Sequence, residues 1–382
     1  MGSLTRKAAI VGVAESDCGT VPDKSAMELM AQATKRALDD AGLTKKDIDA
    51  VFCTALNGMP AARLAEYLHI RPVYSDSTSA GGASFEMHIQ HAAAAIAAGL
   101  CQTALICFGG TPKSDPEPFY RFWHDPRAPE HDFESIYGAH VIADYALAAQ
   151  RHMHQYGTTS EQLAEIAVST RKWAALNPLA AMRDPITIED VLNSPMISSP
   201  LHLLDCCLVS DGGGAVILTS PDRAENLKKT PVWILGCGSC VTHNSILSMP
   251  DLTVSPAKRS GDVAFEMAGL TPGDIDVIEL YDSFTITVLL QLEDLGFCRK
   301  GEGGILVSGQ RTAPEGTLPL NTNGGGLSFI HPSLYGIFLL IEATRQLRGE
   351  CGARQVPGAE LALCNAIGGH LSCSSTVILG RD

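Results

Sequence analysis

The sequence of 382 residues lacks the features that mark several common classes of protein. No run of about 18 apolar residues is present to span a membrane, and the N-terminal stretch MGSLTRKAAIVGV has no longer apolar segment of the kind found in signal peptides. The phosphate-binding pattern GxxxxGK[ST] and the zinc-protease pattern HExxH are also missing. We therefore expect a soluble, cytoplasmic protein without a metal site.

Positive charge is scarce as well. The 28 Lys and Arg residues are outnumbered by 42 Asp and Glu residues, which gives a net charge of −14 and argues against nucleic acid or an anionic membrane as the main partner. Several of the twelve cysteines lie in apolar runs, such as Cys107 in ALICF, as buried thiols do in a reducing compartment. Cys237 and Cys240 form a lone CxxC pair, which is too few ligands for a zinc site.

An internal repeat is present instead. The segment GLTKKDID at residues 42–49 recurs as GLTPGDID at residues 269–276, and each copy precedes an apolar strand-like run. Upstream, residues 8–12 (AAIVG) correspond to residues 232–236 (VWILG) at nearly the same offset. The first helix is predicted from a capping box formed by Ser25 and Glu28 and from Gly42 at its end.

The two halves continue in the same order. In each half a glycine cluster leads into a helix (85–98 or 333–348), then a glycine, then a strand (103–108 or 360–364) that runs into a diglycine. Alternating helices and apolar strands indicate layered α/β sheets. We predict an N-terminal half at residues 1–221, carrying an insertion at about 111–200 that includes a candidate lid, and a C-terminal half at residues 222–382. A capping pattern at Thr159 and Gln162 predicts a helix inside the insertion.

Three glycine clusters are candidates for a shared active site. Small residues before a helix let backbone N–H groups approach a ligand and stabilise negative charge that develops during a reaction. Such clusters lie at residues 79–82 and 324–331, and a third follows the last core strand at Gly368 and Gly369. Each cluster also fits an ordinary turn, so the clusters alone leave both interpretations open.

The residues around these clusters resemble the thiolase superfamily. The blocks ELYDSF (279–284), NTNGGGLSFIHP (321–332) and GGHLS (368–372) are similar to three successive thiolase blocks, and they are most similar to the sterol-carrier-protein-like, lipid-transfer branch. The resemblance covers nearly the whole chain. It implies two pseudo-symmetric α/β halves in a layered α-β-α-β-α arrangement.

The resemblance also implies chemistry at a carbon–carbon bond beside a CoA thioester. In ordinary thiolases a cysteine at a helix N-terminus takes the acyl group, and a histidine of a Gly-His-Pro block activates it. His331 and Pro332 match that block, although Ile330 replaces its glycine. Aligning Gly82 with the glycine of the nucleophile block places Ser79 where the cysteine belongs, and no cysteine lies between Cys53 and Cys101.

The replacement leaves the role of Ser79 open. A serine hydroxyl needs a strong general base, whereas a thiol at a helix N-terminus ionises near neutral pH. Ser79 is a candidate nucleophile with His331 as its base, a candidate contact for substrate or water, or a small residue required for packing.

Further candidate residues come from the same blocks. Tyr281 stands where thiolases have asparagine or the lipid-transfer branch has histidine, and a phenol can donate a hydrogen bond to an oxyanion or exchange a proton. Thiolases have a second cysteine near the C-terminal glycines that moves protons, and Cys364 is a candidate for that residue. Alignment on the diglycine places the second cysteine nearer to Ala366. The alternative role of Cys364 is that of a buried thiol in a strand. Core packing is the expected role of Tyr335. The candidate residues for substrate or oxyanion binding are Gly82, Asn323, Gly368, Gly369 and His370.

Three functions are compatible with these residues. The leading hypothesis is a thiolase-like acyltransferase that acts on a 3-oxoacyl-CoA plus CoA, with a bulky acyl chain. The second is a retro-aldolase that acts on a 3-hydroxyacyl-CoA, because steroid side-chain-cleaving members of the branch resemble this sequence in using a tyrosine at position 281. The third is a non-catalytic binder of acyl-CoA or lipid.

The resemblance further implies the cosubstrate and the partners. Coenzyme A is expected as a substrate, with no resident cofactor. We also expect a homodimeric core and a small partner protein with a zinc ribbon and an OB-fold.

Overall fold

The computed structural model describes residues 4–54, 56, 58–117, 133–134, 136, 138 and 140–381. Its centre is a nine-stranded mixed sheet with the strand order β3-β2-β4-β7-β1-β8-β11-β10-β9. The strands are β1 (Ala9–Glu15), β2 (Ala50–Cys53), β3 (Tyr74–Asp76), β4 (Thr103–Gly110), β7 (Gly212–Thr219), β8 (Val232–Val241), β9 (Val277–Leu280), β10 (Leu361–Gly368) and β11 (Cys373–Gly380). A separate hairpin pairs β5 (Met196–Ser198) with β6 (Leu201–His202).

Helices connect these strands and cover both faces of the sheet. They are α1 (Ala26–Ala41), α2 (Pro60–Leu68), α3 (Ser84–Ala97), α4 (Val141–Tyr156), α5 (Ser160–Ala175), α6 (Ile188–Asn193), α7 (Pro221–Ala224), α8 (Ala257–Ala268), α9 (Thr285–Asp294), α10 (Gly303–Val307) and α11 (Gly336–Arg348). In the part of the chain that the structure describes, none of them is long and apolar enough to cross a membrane.

The pairing repeats between the two ends of the sheet. Strand β1 runs antiparallel to β7 as β8 does to β11, and β2 runs parallel to β4 as β9 does to β10. The repeated GLT segments form matching 3-10 turns before β2 and β9. A short antiparallel contact, Ala9 with Trp233 and Ile10 with Val232, joins the two sets of strands.

The alternation of side chains along each strand explains the layers. On β4, Phe108 packs on Phe85 of α3 with ring centroids 5.2 Å apart, whereas Cys107 points the other way and donates to the carbonyl of Met30 in α1. Helices α3 and α11 contact strands from both ends of the sheet, while α1 and α8 cover the opposite face. Two helices thus lie between the strand sets and others lie outside them, and the predicted α/β fold is confirmed.

Local sequence signals set most of the helix ends. The capping boxes predicted at Ser25 with Glu28 and at Thr159 with Gln162 are present, and Gly42 ends α1 in the left-handed conformation. The helix predicted at 333–348 begins only at Gly336, because Ser333 has a φ of 78° and cannot continue a helix. Most of the candidate lid lies outside the described residues.

Candidate active site

The ends of two parallel strands bring the predicted site residues to one edge of the sheet. Leu280 of β9 pairs with Asn365 of β10, and the backbone N–H of Tyr281 donates to the Asn365 carbonyl at 2.9 Å. The side-chain amide of Gln291 donates to the Tyr281 carbonyl at 2.7 Å. Tyr281 and the diglycine loop after β10 therefore leave the sheet side by side.

Tyr281 and His331 form a hydrogen-bonded pair at this edge. The Tyr281 Oη and His331 Nε2 atoms lie 2.8 Å apart, and the two rings meet edge to face with centroids 5.6 Å apart. The His331 backbone N–H donates to Ser210 Oγ at 2.8 Å, while the Ser210 N–H donates to the His331 carbonyl at 3.3 Å. The segment before β7 thus fixes the backbone of the histidine.

Burial determines the protonation of this pair. The pKa of Tyr281 is raised well above its ordinary value of 10.0, chiefly because burial disfavours the phenolate. The pKa of His331 falls to about 4, also through burial. At neutral pH both groups are uncharged, so the phenol donates to the lone pair on His331 Nε2. One member of the pair can therefore give a proton while the other takes one.

Tyr335 and Asn323 support the pair from behind. The Tyr335 ring is fully buried, stacks on His331 at an angle of 15° and meets Tyr281 edge to face. Its hydroxyl donates to Asn323 Oδ1 at 2.8 Å, and the same oxygen accepts from the Gly325 N–H at 2.8 Å. The Asn323 carboxamide oxygen is therefore occupied by the protein. Asn323 was predicted to bind substrate. In the structure its side-chain oxygen accepts the Tyr335 hydroxyl and so orients that ring.

Asp282 holds the glycine-rich loop that precedes His331. Its two carboxylate oxygens accept from the backbone N–H groups of Gly326 at 2.6 Å and Leu327 at 3.2 Å. Gly325 has a φ of 60°, and a Cβ atom there would lie 2.0 Å from Asp282 Oδ2. Burial raises the pKa of Asp282 to about 7. The aspartate thus fixes the loop, and position 325 has no room for a side chain.

Gly82 lies directly against the Tyr281–His331 pair. A Cβ atom on Gly82 would lie 2.2 Å from Tyr281 Cε2 and 2.5 Å from the Ile367 carbonyl oxygen. A side chain at position 82 would therefore point at Tyr281, whose ring fills that space. Ser79 is exposed, and the hydrogen bonds and ring contacts of the described residues do not connect it to Tyr281 or His331.

Three cysteine thiols near the site have raised pKa values, and two of them donate hydrogen bonds to backbone carbonyls. Cys364 is fully buried in β10, donates to the Leu339 carbonyl at 3.5 Å, and has a pKa raised well above 9.0 by burial. Cys373 donates to the Ala80 carbonyl at 3.1 Å, and burial raises its pKa to about 12. Burial also raises the pKa of Cys207, beside Asp282, well above 9.0. None of these three thiols has the ionised character of a nucleophile.

The diglycine loop packs against the glycines before α3. A Cβ atom on Gly81 would lie 2.8 Å from the Gly369 nitrogen, and a Cβ atom on Gly368 would lie 1.8 Å from the Ala80 oxygen. The next residue, His370, is partly exposed, and its Nδ1 atom lies 2.5 Å from Asp144 Oδ2. The loop predicted to bind substrate is thus close to Gly82, as the sequence indicated.

Sequence reasoning missed Asp144 and Tyr145 of α4 and gave Ser210 no role. Asp144 contacts His370, Tyr145 contacts Gly369 and Ser210 contacts His331. The partners are separated in sequence by 226, 224 and 121 positions. No local pattern marks such contacts. For Ser210 the one available signal is its place in a stretch, Ser210-Asp211-Gly212, that is similar to the family.

Residues 238–381 match the model of a family described as thiolase C-terminal domain-like. Over nearly its full length, the chain is 34% identical to an acetyl-CoA acetyltransferase of Methanothermobacter thermautotrophicus, covering 98% of this chain and 100% of the relative. The chain belongs to the thiolase family. The predicted resemblance is confirmed, whereas a replacement of the thiolase cysteine by Ser79 is not shown.

Two further relatives are lyases or aldolases by name. One is a 17-hydroxy-3-oxo-4-pregnene-20-carboxyl-CoA lyase of Mycobacterium tuberculosis, which is 35% identical and covers 95% of this chain and 97% of the relative. The other is a solved structure, the Ltp2-ChsH2(DUF35) aldolase, with a TM-score of 0.87, 32% identity and 99% of each chain covered. These relatives confirm the predicted class, a thiolase-like enzyme acting on a carbon–carbon bond beside a CoA thioester.

Proposed function

We propose that this enzyme cleaves a 3-hydroxyacyl-CoA by a retro-aldol reaction, giving a carbonyl compound and a shorter acyl-CoA without an acyl-enzyme. The observation that carries the proposal is the contact between Gly82 and Tyr281. The space that a nucleophilic side chain at position 82 would need is filled by the ring of a residue hydrogen-bonded to His331. A hydrogen-bonded acid–base pair therefore packs against the approach to α3.

The neighbouring side chains support this choice. Acyl transfer to the protein needs a thiolate or an activated hydroxyl, but Cys364 and Cys373 have raised pKa values and donate to backbone carbonyls. Ser79 is exposed, and the ring nitrogen of His331 that would serve as a base is bonded to Tyr281. Among the described residues, the site lacks the pairing of nucleophile and base that an acyl-enzyme requires.

The Tyr281–His331 pair fits the first step of a retro-aldol reaction. The Tyr281 oxygen takes the proton of the substrate 3-hydroxyl while the Tyr281 proton passes to His331 Nε2. The electron pair of the O–H bond becomes the new C=O bond, and the C2–C3 bond breaks to leave an enolate of the thioester. Backbone N–H groups of the glycine loops are the proposed donors to the enolate oxygen.

The proposed substrate is a CoA thioester with a bulky group at carbon 3. Coenzyme A as the carrier is supported by membership of the thiolase family and by the names of the relatives. A bulky acyl chain is supported by the pregnene carboxyl-CoA named for the mycobacterial lyase, which is 35% identical.

Thiolysis of a 3-oxoacyl-CoA is the second candidate. Full-length similarity to an acetyl-CoA acetyltransferase and the presence of His331 with Pro332 favour it. In that reaction free CoA would attack the 3-oxo group, and a product would carry the incoming CoA.

Product analysis separates the two reactions. A 3-hydroxyacyl-CoA with an aromatic or polycyclic substituent and its 3-oxo counterpart would each be incubated with and without free CoA, and products followed by mass spectrometry. We expect an aldehyde or ketone and a shorter acyl-CoA from the hydroxy substrate alone, with no mass adduct on the protein. Cleavage of the 3-oxo substrate only, dependent on free CoA, would overturn the proposal in favour of thiolysis. Tight binding of both substrates without products would favour the non-catalytic binder.

Subunit composition is a separate part of the proposal. We propose a homodimeric core, as the family resemblance implies. We also propose a small partner protein with a zinc ribbon and an OB-fold. The name of the similar structure, Ltp2-ChsH2(DUF35) aldolase, supports a partner because it contains two proteins. Light scattering of the isolated chain would give its mass in solution, and a monomer would contradict the dimer. Activity of the isolated chain equal to that of any reconstituted complex would contradict a required partner.

A further inference from the structure

The first turn of α4 holds the loop that follows β10. Tyr145 Oη donates to the Gly369 carbonyl at 3.1 Å, and Asp144 Oδ2 lies 2.5 Å from His370 Nδ1. Two consecutive residues of one helix thus hold two consecutive residues of the loop. The Tyr145 ring also packs on Phe284, three residues beyond Tyr281, with centroids 4.6 Å apart.

Asp144 is unusual for a carboxylate because it is almost completely buried, with 1% of its surface exposed. Within the described residues its second oxygen, Oδ1, has no hydrogen-bond partner. The position in the first turn of a helix favours negative charge, and the bond to His370 offsets the cost of burying it. The contact with Asp144 Oδ2 holds Nδ1 of His370 and so fixes the orientation of the ring.

The loop that carries His370 packs against the residue that precedes Gly82. Gly82 faces the Tyr281 ring, and the preceding residue, Gly81, faces the Gly369 nitrogen. The approach to α3 is therefore packed against both the Tyr281 ring and the loop that carries His370. The His370 side chain keeps 24% of its surface exposed.

We infer that His370, positioned by Asp144, is the second acid–base group of the active site and protonates carbon 2 of the enolate. The inference rests on the proposed function, because a retro-aldol reaction moves protons at two different atoms. Tyr281 and His331 hold the proton taken from the 3-hydroxyl when the C2–C3 bond breaks. The enolate carbon needs another proton, and His370, on the loop packed against Gly81, is the proposed donor.

The proton balance closes over one turnover. The His370 imidazolium gives its Nε2 proton to carbon 2, the enolate electron pair forms the C–H bond, and His370 becomes neutral. His331 releases the proton it received to water, and His370 takes one proton from water. The products are the carbonyl compound and the shorter acyl-CoA, with no oxidant or reductant consumed.

Hydrogen exchange at carbon 2 tests this assignment. By microscopic reversibility, the group that protonates the enolate must also remove a proton from the bound shorter acyl-CoA. Acetyl-CoA and propionyl-CoA would be incubated with the full chain in D2O, and deuterium at carbon 2 measured by mass spectrometry. We expect exchange with the unmodified enzyme and at least about a 100-fold loss with His370→Asn. Asp144→Asn, which misorients the ring, is expected to lower exchange about tenfold or more.

A matched histidine–aspartate pair provides the control. His91 Nδ1 lies 2.6 Å from Asp76 Oδ2, and His91→Asn is expected to leave exchange unchanged. Calorimetric titration would check that His370→Asn still binds propionyl-CoA, which separates loss of proton transfer from loss of folding. Unchanged exchange in a folded His370→Asn variant, or no exchange with the unmodified enzyme, would overturn the assignment.

The same experiment separates this inference from the retro-aldol proposal. Exchange that depends on His370, together with no cleavage of any 3-hydroxyacyl-CoA, would retain the assignment and reject the aldol reaction. Cleavage that is insensitive to His370→Asn would retain the aldol reaction and reject the assignment.

Discussion

Tyr281 and Gly82 depend on each other at the level of single residues. The ring of Tyr281 lies in the volume that a side chain at position 82 would occupy, and its hydroxyl bonds to His331. Burial keeps the phenol protonated and the imidazole neutral, since it raises the pKa of Tyr281 and lowers that of His331 to about 4. The pair is thus ready to exchange protons without forming a buried ion pair at rest.

Removal of the Tyr281 hydroxyl should stop the reaction. Tyr281→Phe keeps the ring that fills the space beside Gly82 but removes the atom that takes and gives the proton. We expect kcat to fall by about 10²–10⁴-fold, while loss of the buried hydrogen bond to His331 lowers the free energy of unfolding by only about 1–3 kcal/mol. Tyr67→Phe, at a tyrosine that is 49% exposed, is the control and should leave kcat unchanged. Retention of full activity by Tyr281→Phe would exclude the phenol from proton transfer.

A methyl group at position 82 should collide with Tyr281. Gly82→Ala places a carbon 2.2 Å from Tyr281 Cε2, so we expect the free energy of unfolding to fall by about 1–3 kcal/mol and activity to fall with it. In the background of Tyr281→Ala the same change should cost less, although the contact with the Ile367 carbonyl remains. Denaturant unfolding of the unmodified protein, the two single variants and the double variant measures this coupling.

Gly273→Ala is the control for that cycle. The nearest atom to a Cβ there is 3.8 Å away, so the change should alter stability by less than about 0.5 kcal/mol. Equal costs of Gly82→Ala in both backgrounds would show that the ring does not limit the site.

Helix α3 carries an unusual group at the level of elements. Glu86 is fully buried, and within the described residues neither of its carboxyl oxygens has a hydrogen-bond partner. A Cβ atom on Gly336 would lie 2.5 Å from Glu86 Oε2, so the carboxyl packs against the start of α11. Burial raises the pKa of Glu86 from 4.5 to about 8. The two central helices therefore meet around a carboxyl group that is neutral at pH 7.

The stability of this contact should depend on pH. The folded state keeps a proton on Glu86 up to about pH 8, whereas the unfolded state loses it near pH 4.5. Stability from this group is therefore fully present below pH 4.5 and is lost as pH rises through 8. We expect Glu86→Gln to remove this component, so that the unmodified protein loses stability relative to the variant between about pH 5 and pH 9.

Denaturant unfolding at several pH values measures that difference. Glu66→Gln, at an exposed position, is the control and should follow the unmodified protein at every pH. A constant difference between Glu86→Gln and the unmodified protein across this range would mean that Glu86 has an ordinary pKa in the folded state.

Elements with strong local signals were predictable, but contacts between distant elements were not. The capping boxes at Ser25 and Thr159 depend on residues three positions apart, so the sequence reveals them directly. Tyr281 and His331 were each named as site residues from family blocks, whereas their hydrogen bond was not predicted. Asp144 reaches His370 across 226 positions, and no periodicity marks such a contact. The contact between Gly82 and the Tyr281 ring was also not predictable, because it joins residues that lie far apart in the sequence.

At the scale of the whole molecule, the two halves depend on one another. Hydrogen bonds between β1 and β8 are few, but α3 and α11 each contact strands from both ends of the sheet. Val216 and Ile234, from opposite halves, belong to the same buried cluster as Phe85 and Phe338. Each half alone would expose an apolar surface that the other half covers.

Neither half should therefore fold alone. A chain containing residues 1–221 is expected to lack a cooperative thermal transition, and mixing it with residues 222–382 should restore one. Circular dichroism and hydrogen exchange of the separate and mixed chains measure this. A cooperative transition of residues 1–221 alone, with protected amides in α3, would show that the halves are independent folding units.

The position of α4 has a consequence for recombination between relatives. This helix lies in the predicted insertion of the predicted first half, yet Asp144 and Tyr145 on it contact the loop after β10 in the predicted second half. A chimaera joined near residue 221 would place His370 opposite a foreign helix, even though its fold is intact. A chimaera should therefore take residues 141–156 and residues 361–380 from the same relative. These two segments lie on opposite sides of the junction that the repeat suggests.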